Sequence, residues 1–273
     1  MGRIGELFRR LKGREGALIA YVTGGDPSLR LTPLVADALV SGGADALEIG
    51  IPFSDPIADG PIIQSSASRA LAAGATPRNV LKAIKEVRKK LEETPIVALT
   101  YYNLIYRMGV ERFVKLAKEC GVDGVVVADL PIEESGEYRS EAQKYGLDTV
   151  FLAAPSTTSE RLRRIAERSS GFLYLVSVFG VTGIREKLQE LTVKLIRRAA
   201  SVVGGRLPLS VGFGISKPEH VSSVISKGAD GAIVGSKFVK IIGENRNAAR
   251  MLEKLEGEAL KLKRATLKGE VKG

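Results

Sequence analysis

The chain has no tryptophan, one cysteine (Cys120) and one histidine (His220), and aromatic residues make up only 5% of its 273 positions. A lone cysteine excludes a disulfide-stapled scaffold. A lone histidine, read as lying on an outer helix after Ser216, argues against a His-rich metal site or a Ser-His-Asp triad. No apolar run approaches the roughly 20 residues of a membrane helix, and residues 1–14 mix charge with apolar side chains and lack a secretory core. A cytoplasmic protein with no membrane association is the expectation. Amides are scarce too, with four asparagines and three glutamines beside abundant Lys, Arg and Glu. That bias suggests a thermophilic source.

What is present is a basic, apolar-rich chain: 44% hydrophobic, formal charge +10. That apolar fraction is too high for disorder. The positive charge raises the question of nucleic acid. Yet Lys and Arg alternate with acids along amphipathic stretches such as 82–93 and 186–198, without interleaved aromatics. Solvated helix faces account for them, and no nucleic-acid partner is expected. The Lys-rich end, 260–273, reads as a fraying helix terminus.

Short, nearly continuous apolar runs recur at 17–23, 46–50, 96–101, 124–127, 149–152, 172–177, 209–212 and 231–234. Such runs fit parallel strands covered by helices. The intervals between them read as helices. Thr76 before Pro77 is an N-cap with proline at the first helical position. The stretches 157–160 and 216–219 fit capping boxes, and a helix from Asp26 or Ser28 carries Leu34, Val35, Ala38 and Leu39 on one face. Three helices end in a shared turn, Gly42-Gly-Ala-Asp, Gly121-Val-Asp and Gly228-Ala-Asp, leading into the next strand. Eight strand–helix units without a linker predict a single (β/α)8 TIM barrel spanning 1–273, with 1–11 as an extra N-terminal helix over the barrel floor. A doubly wound sheet is the alternative, and it lacks its dinucleotide fingerprint here.

In such a barrel the chemistry sits where strands end. The second expected strand ends Leu47-Glu48-Ile49-Gly50. Alternation turns Leu47 and Ile49 to the helices and Glu48 inward. A buried carboxylate has a raised pKa, which suits a general acid/base, although a structural Glu satisfied by backbone or water is the alternative. Asp55 and Asp59 follow in a loop where Asp before Pro or Gly is also ordinary turn chemistry. Glycines after the last three strands, in Gly180-Val-Thr-Gly183, Gly212-Phe-Gly214 and Gly235-Ser236, converge on the usual phosphate quadrant. No lysine falls near a strand end, which disfavours Schiff-base chemistry.

The stretch Leu47-Glu-Ile-Gly-Ile-Pro-Phe-Ser-Asp-Pro-Ile-Ala-Asp-Gly-Pro61 closely resembles the signature of the tryptophan synthase alpha subunit family. Tyr21-Val-Thr-Gly-Gly-Asp-Pro27, Leu99-Thr-Tyr-Tyr-Asn103, Val127-Ala-Asp-Leu-Pro131 and Gly231-Ala-Ile-Val-Gly-Ser236 match it in order and spacing, as do the glycine motifs. The resemblance implies a lyase that cleaves indole-3-glycerol phosphate into indole and glyceraldehyde 3-phosphate without cofactor, metal or Schiff base. It implies that Glu48 moves protons at indole C3 and the glyceryl hydroxyl, and that Asp59 stabilises positive charge on the indole nitrogen. It places Tyr174 near the glutamate and Tyr21, Leu99, Tyr101, Phe213 and Ile233 around the indole, although by residue type alone these five also fit barrel core. Gly183, Gly214, Gly235 and Ser236 match phosphate-binding positions. Thr182 matches a threonine on a lid, 178–189, whose closure would exclude water. Asp55 and Pro56 match contacts to a beta subunit, a pyridoxal phosphate enzyme, in an alpha2beta2 assembly.

Three departures stand out: Ala128 for a common proline, Tyr21 for a common phenylalanine, and the apolar lid pair Val178-Phe179. Two other readings remain beside the lyase. One is a non-catalytic activator of the beta subunit. The other is a different phosphate-binding barrel of tryptophan or histidine biosynthesis.

Overall fold

The computed structural model describes residues 2–177 and 185–268, without side chains for 185–189. Its strands are β1 (Ala17–Thr23), β2 (Ala46–Gly50), β3 (Ile96–Thr100), β4 (Gly124–Val127), β5 (Asp148–Val150), β6 (Leu152–Ala153), β7 (Leu173–Val176), β8 (Leu209–Gly212) and β9 (Gly231–Val234). They form one parallel sheet in the order β5-β4-β3-β2-β1-β9-β8-β7-β6. The fifth expected strand is therefore two short ones. β5 pairs with β4 and β6 with β7. Phe151 joins them, and its carbonyl accepts the Tyr174 N–H at 3.1 Å. The two edges of the sheet are consecutive in the chain, so the sheet curls into a barrel of the TIM type.

Helices α1 (Arg3–Leu11), α2 (Thr32–Ser41), α3 (Pro61–Ala72), α4 (Pro77–Lys90), α5 (Tyr102–Met108) and α6 (Val110–Glu119) belong to the first half. The second half adds α7 (Gly136–Lys144), α8 (Ser159–Arg168), α9 (Arg185–Val203), α10 (Pro218–Ser226), α11 (Ser236–Glu244) and α12 (Ala248–Arg264). Among the described residues, no helix is long and apolar enough to cross a membrane.

Strand alternation splits the core in two. Leu18, Ala20, Val22, Leu47 and Ile49 pack outward with the helices. Ile19, Tyr21, Ala46, Val97, Val126 and Tyr174 point inward. The inward cluster includes Ile4, Leu7, Phe8 and Leu11, so α1 seals the floor as expected. From there an aromatic column rises to the mouth. Phe8 lies 6.1 Å from Phe172, Phe172 6.4 Å from Tyr174, and Tyr174 5.9 Å from Phe213.

The repeated Gly-x-Asp turn has a clear purpose. Gly43, Gly121 and Gly228 have φ of 96°, 85° and 103°, a conformation glycine adopts without strain. The aspartates that follow accept an N–H from the first or second residue of a neighbouring strand: Asp45 from Leu18 at 2.8 Å, Asp123 from Ile96 at 2.8 Å, Asp230 from Leu209 at 2.9 Å. Cations reinforce two of them. Asp123 meets Arg3 at 3.0 Å and Arg88 at 2.6 Å, and Lys263 bridges Asp45 and Glu15 at 2.8 and 3.0 Å.

Several helix ends differ from expectation. The helix after β1 begins at Thr32, because the Asp26 carboxylate is taken by Arg69 and the Thr32 hydroxyl accepts the Gly25 N–H. Its buried face is then Val35, Ala36 and Leu39, and Leu34 is exposed. Thr158, not Thr157, caps α8, since Thr157 accepts the Ala154 N–H. Lys217 precedes α10 without a side-chain cap, and Ser216 donates its N–H to Nδ1 of a half-buried His220. The C-terminal helix does not fray at 260: Leu262 and Thr266 are buried, and the Thr266 carbonyl accepts the Gly16 N–H at 2.8 Å.

Candidate active site

Glu48 stands in β2 between Tyr21 of β1 and Val97 of β3. Its side chain is 1% exposed, and Oε2 is buried without a hydrogen-bond partner. Removing a carboxylate from water disfavours its charged form. Burial, and secondarily the charge of Asp59, push the Glu48 carboxyl up to about 8. At neutral pH it is therefore mainly a neutral acid that carries a proton.

Asp59 is half-buried in the loop from β2 to α3. Burial raises its pKa, and a hydrogen bond from Tyr101 opposes the rise. Three contacts hold this loop. The Tyr101 hydroxyl accepts the Ala58 N–H at 3.1 Å, Gln64 Nε2 donates to the Asp59 carbonyl at 2.8 Å, and the Asp59 N–H donates to Pro56 at 3.0 Å. Helix α3 is in turn clamped to the end of β1, where Asp26 accepts Arg69 Nε and Nη2 at 2.9 and 2.7 Å. Forked pairs of this kind fix orientation as well as distance.

Both carboxyl groups open onto a cavity of about 380 Å³ at the barrel mouth. Its walls are Tyr21, Ile63, Leu99, Tyr174, Phe213, Ile215 and Ile233, with Gly60 and Pro61 beside Asp59. Gly214, Gly235 and Ser236 complete it where α11 begins. A helix start presents free N–H groups and a partial positive charge, which suits an anion. Two strand-end glycines make room for the phenols. A Cβ at Gly50 would lie 2.3 Å from the Tyr21 oxygen, and one at Gly212 would lie 2.3 Å from the Tyr174 oxygen. Phe213, at φ 69°, adopts a backbone conformation that costs a non-glycine residue energy. The Ser177 hydroxyl bonds the carbonyls of Gly212 and Phe213 and helps hold that turn.

Glu48, Asp59, Tyr21, Leu99, Tyr174, Phe213, Gly214, Ile233, Gly235 and Ser236 thus meet at one cavity. Tyr101 is not on its wall; it stands behind Asp59, with its ring 5.3 Å from Phe53. Asp55 and Pro56 lie on the outer part of the loop, Asp55 exposed and Pro56 half-buried. Thr182 and Gly183, with lid positions 178–184, fall outside the described residues. The sequence reading missed Ile63 and Ile215. Ile215 was legible as the residue closing Gly212-Phe-Gly-Ile, and Ile63 as the residue one helical turn after Asp59. Among the described residues, no group of three or more His, Cys, Asp and Glu side chains could hold a metal ion.

A family model described as tryptophan synthase alpha chain matches residues 8–267. The chain is 47% identical over 257 residues to the tryptophan synthase alpha chain of Methanosarcina barkeri, covering 94% of this chain and 95% of the relative. It is 48% identical over 261 residues to that of Methanothermobacter thermautotrophicus, covering 95% of each. Among solved structures, the alpha subunit from Legionella pneumophila superimposes with a TM-score of 0.87 at 36% identity, over 97% of this chain and 98% of that one. A chain of the tryptophan synthase a2b2 complex from the hyperthermophile Pyrococcus furiosus gives 0.84 at 46% identity, over 91% and 98%. The chain belongs to the tryptophan synthase alpha chain family.

Proposed function

We propose that this cavity carries out the family's lyase reaction, cleavage of indole-3-glycerol phosphate to indole and glyceraldehyde 3-phosphate, with Glu48 and Asp59 as its catalytic residues. The observation that carries the assignment of roles is the buried Glu48 carboxyl, with one oxygen unpartnered and burial pushing its pKa up to about 8. The reaction adds a proton at indole C3 and removes one from the glyceryl hydroxyl on the carbon that leaves. The neutral Glu48 acid delivers the first. As the C–C bond breaks, its electrons return to the ring, and the Glu48 carboxylate takes the hydroxyl proton as the aldehyde forms. The acid is thereby restored, and a pKa close to the working pH serves both transfers.

Protonation at C3 places positive charge on the ring nitrogen. Asp59, held by Tyr101, is the anion to stabilise it, and two carboxyl groups in different surroundings divide the acid and electrostatic roles. Leu99, Phe213 and Ile233 supply an apolar wall for the indole, and Tyr21 and Tyr174 flank Glu48. Gly214, Gly235 and Ser236 cradle the phosphate, and the family resemblance assigns Gly183 and Thr182 to the same substrate.

The partner is a beta subunit. The Pyrococcus furiosus relative is described within an a2b2 complex. The same stoichiometry and a pyridoxal phosphate partner are proposed here, with Asp55 and Pro56 at the contact. Next to them Ile57 is 83% exposed, and on α5 Tyr106 is 71% exposed. Large apolar side chains left in water support an interface at this rim.

The test is indole release from indole-3-glycerol phosphate by wild type, Glu48→Gln and Asp59→Asn. Each variant should lose at least about 10²-fold in kcat. Near-wild-type turnover by both would reject the assignment, and an inactive wild type that still accelerates a beta subunit would favour an activator.

A further inference from the structure

Three hydroxyls link the cavity wall to α3. The Tyr21 phenol lies 3.3 Å from Thr23 Oγ1, and Thr23 Oγ1 lies 2.6 Å from Ser66 Oγ. Ser66 Oγ donates to the Ile63 carbonyl at 2.7 Å. Each hydroxyl has one proton to give, and a carbonyl has none. The Ser66 proton goes to Ile63, so Ser66 can only accept from Thr23. Thr23 has then used its proton and can only accept from Tyr21.

The direction of the whole chain follows. The Tyr21 proton points along it, away from the cavity, and the phenol oxygen keeps its lone pairs for whatever lies opposite. Burial holds the phenol far above its ordinary pKa, so it remains protonated. Its neighbours on the cavity wall include the apolar Ile63, Leu99 and Ile233, with Glu48 and Asp59 the acidic groups of the same cavity. An acceptor fixed in this way pairs with a ligand's donor and repels a ligand's lone pair. Discrimination of this kind is stronger than anything shape alone provides for groups of similar size.

We infer that Tyr21 is a specificity-determining residue that makes the cavity prefer indole rings bearing a hydrogen-bond donor over rings bearing an acceptor, and that Thr23 and Ser66 are positioning residues that set this polarity through it. The inference rests on the indole site proposed above. It depends on a phenol inside the pocket and on a serine that does not touch the cavity.

The test uses the full chain and reads dissociation constants by calorimetry. The probes are indole, the aminoindoles (donors) and the fluoroindoles (acceptors) substituted at ring carbons 4 to 7. Wild type should favour amino over fluoro by about two- to tenfold at one ring position or more, the worth of one neutral hydrogen bond. Tyr21→Phe should abolish that preference. Ser66→Ala frees the Thr23 proton to turn toward Tyr21 and the phenol proton to turn inward, so it should move the ratio toward the fluoroindoles.

An unchanged ratio in Tyr21→Phe at every ring position would overturn the inference. So would equal losses for all three probes, which mark a merely structural role, or a Ser66→Ala protein that discriminates like wild type. Binding ratios do not depend on turnover. Failure of wild type to release indole from indole-3-glycerol phosphate would instead strike at the lyase assignment itself.

Discussion

The aspartates at the barrel floor and Glu48 at its mouth are treated in opposite ways. At the floor, Asp45, Asp123 and Asp230 each accept a strand N–H, and the first two also meet Lys or Arg. At the mouth, Glu48 is more deeply buried than any of these, no cation pairs with it among the described residues, and one of its oxygens is unpartnered. The floor has paired its acids into structure. The mouth leaves one unsatisfied, at a cost in desolvation, an arrangement that is common at functional sites.

The sharpest way to break this contrast is through pH. The Glu48 pKa is raised on folding, so the folded state binds this proton more tightly than the unfolded chain. Its contribution to stability is complete below the unfolded pKa and is lost as pH rises through about 8. Denaturant titrations at pH 4.5 and 8.5 should show wild type losing stability relative to Glu48→Gln, by up to about 5 kcal/mol. A parallel pH dependence in the two proteins would contradict a raised Glu48 pKa.

The floor predicts the reverse pattern. Asp123→Ala strands Arg88 and the Ile96 N–H and should cost about 3–5 kcal/mol by denaturant unfolding. The kcat of the folded variant should stay within about twofold, because Asp123 does not reach the cavity. A smaller effect is expected where Asp59 meets its support. Tyr101→Phe removes a hydrogen bond to a charged group and should lower kcat about tenfold with little change in phosphate affinity. Smallest of all, Ser236→Ala should raise KM about two- to tenfold and leave kcat near wild type. A loss in kcat instead would mean that the cradle acts on the transition state.

Much of this was legible because it is local. Period-two alternation over five residues was enough to turn Glu48 inward, and the Gly-x-Asp turns marked three helix ends. The glycines after the last strands pointed to the wall that Gly214, at φ 72°, and Gly235 line. Capping at Thr157 and Ser216 was misplaced, since neighbouring polar groups compete for the same N–H and sequence does not say which wins. The halving of the fifth strand depends on which neighbour each half pairs with, a property of barrel closure. The least legible features join distant positions: Thr23 to Ser66, Arg69 to Asp26, and Tyr101 to the Asp59 loop, each 43 or so residues apart. Such pairs exist only once the barrel brings β1, β3 and α3 together.

The account stands on Glu48 being an acid at neutral pH. The direct measurement is a titration of its carboxyl carbon by NMR in protein labelled with carbon-13 at glutamate, with Glu48→Gln identifying the resonance. A midpoint near 8 is the result the structure predicts. A midpoint between about 4 and 5, the ordinary glutamate range, would contradict it.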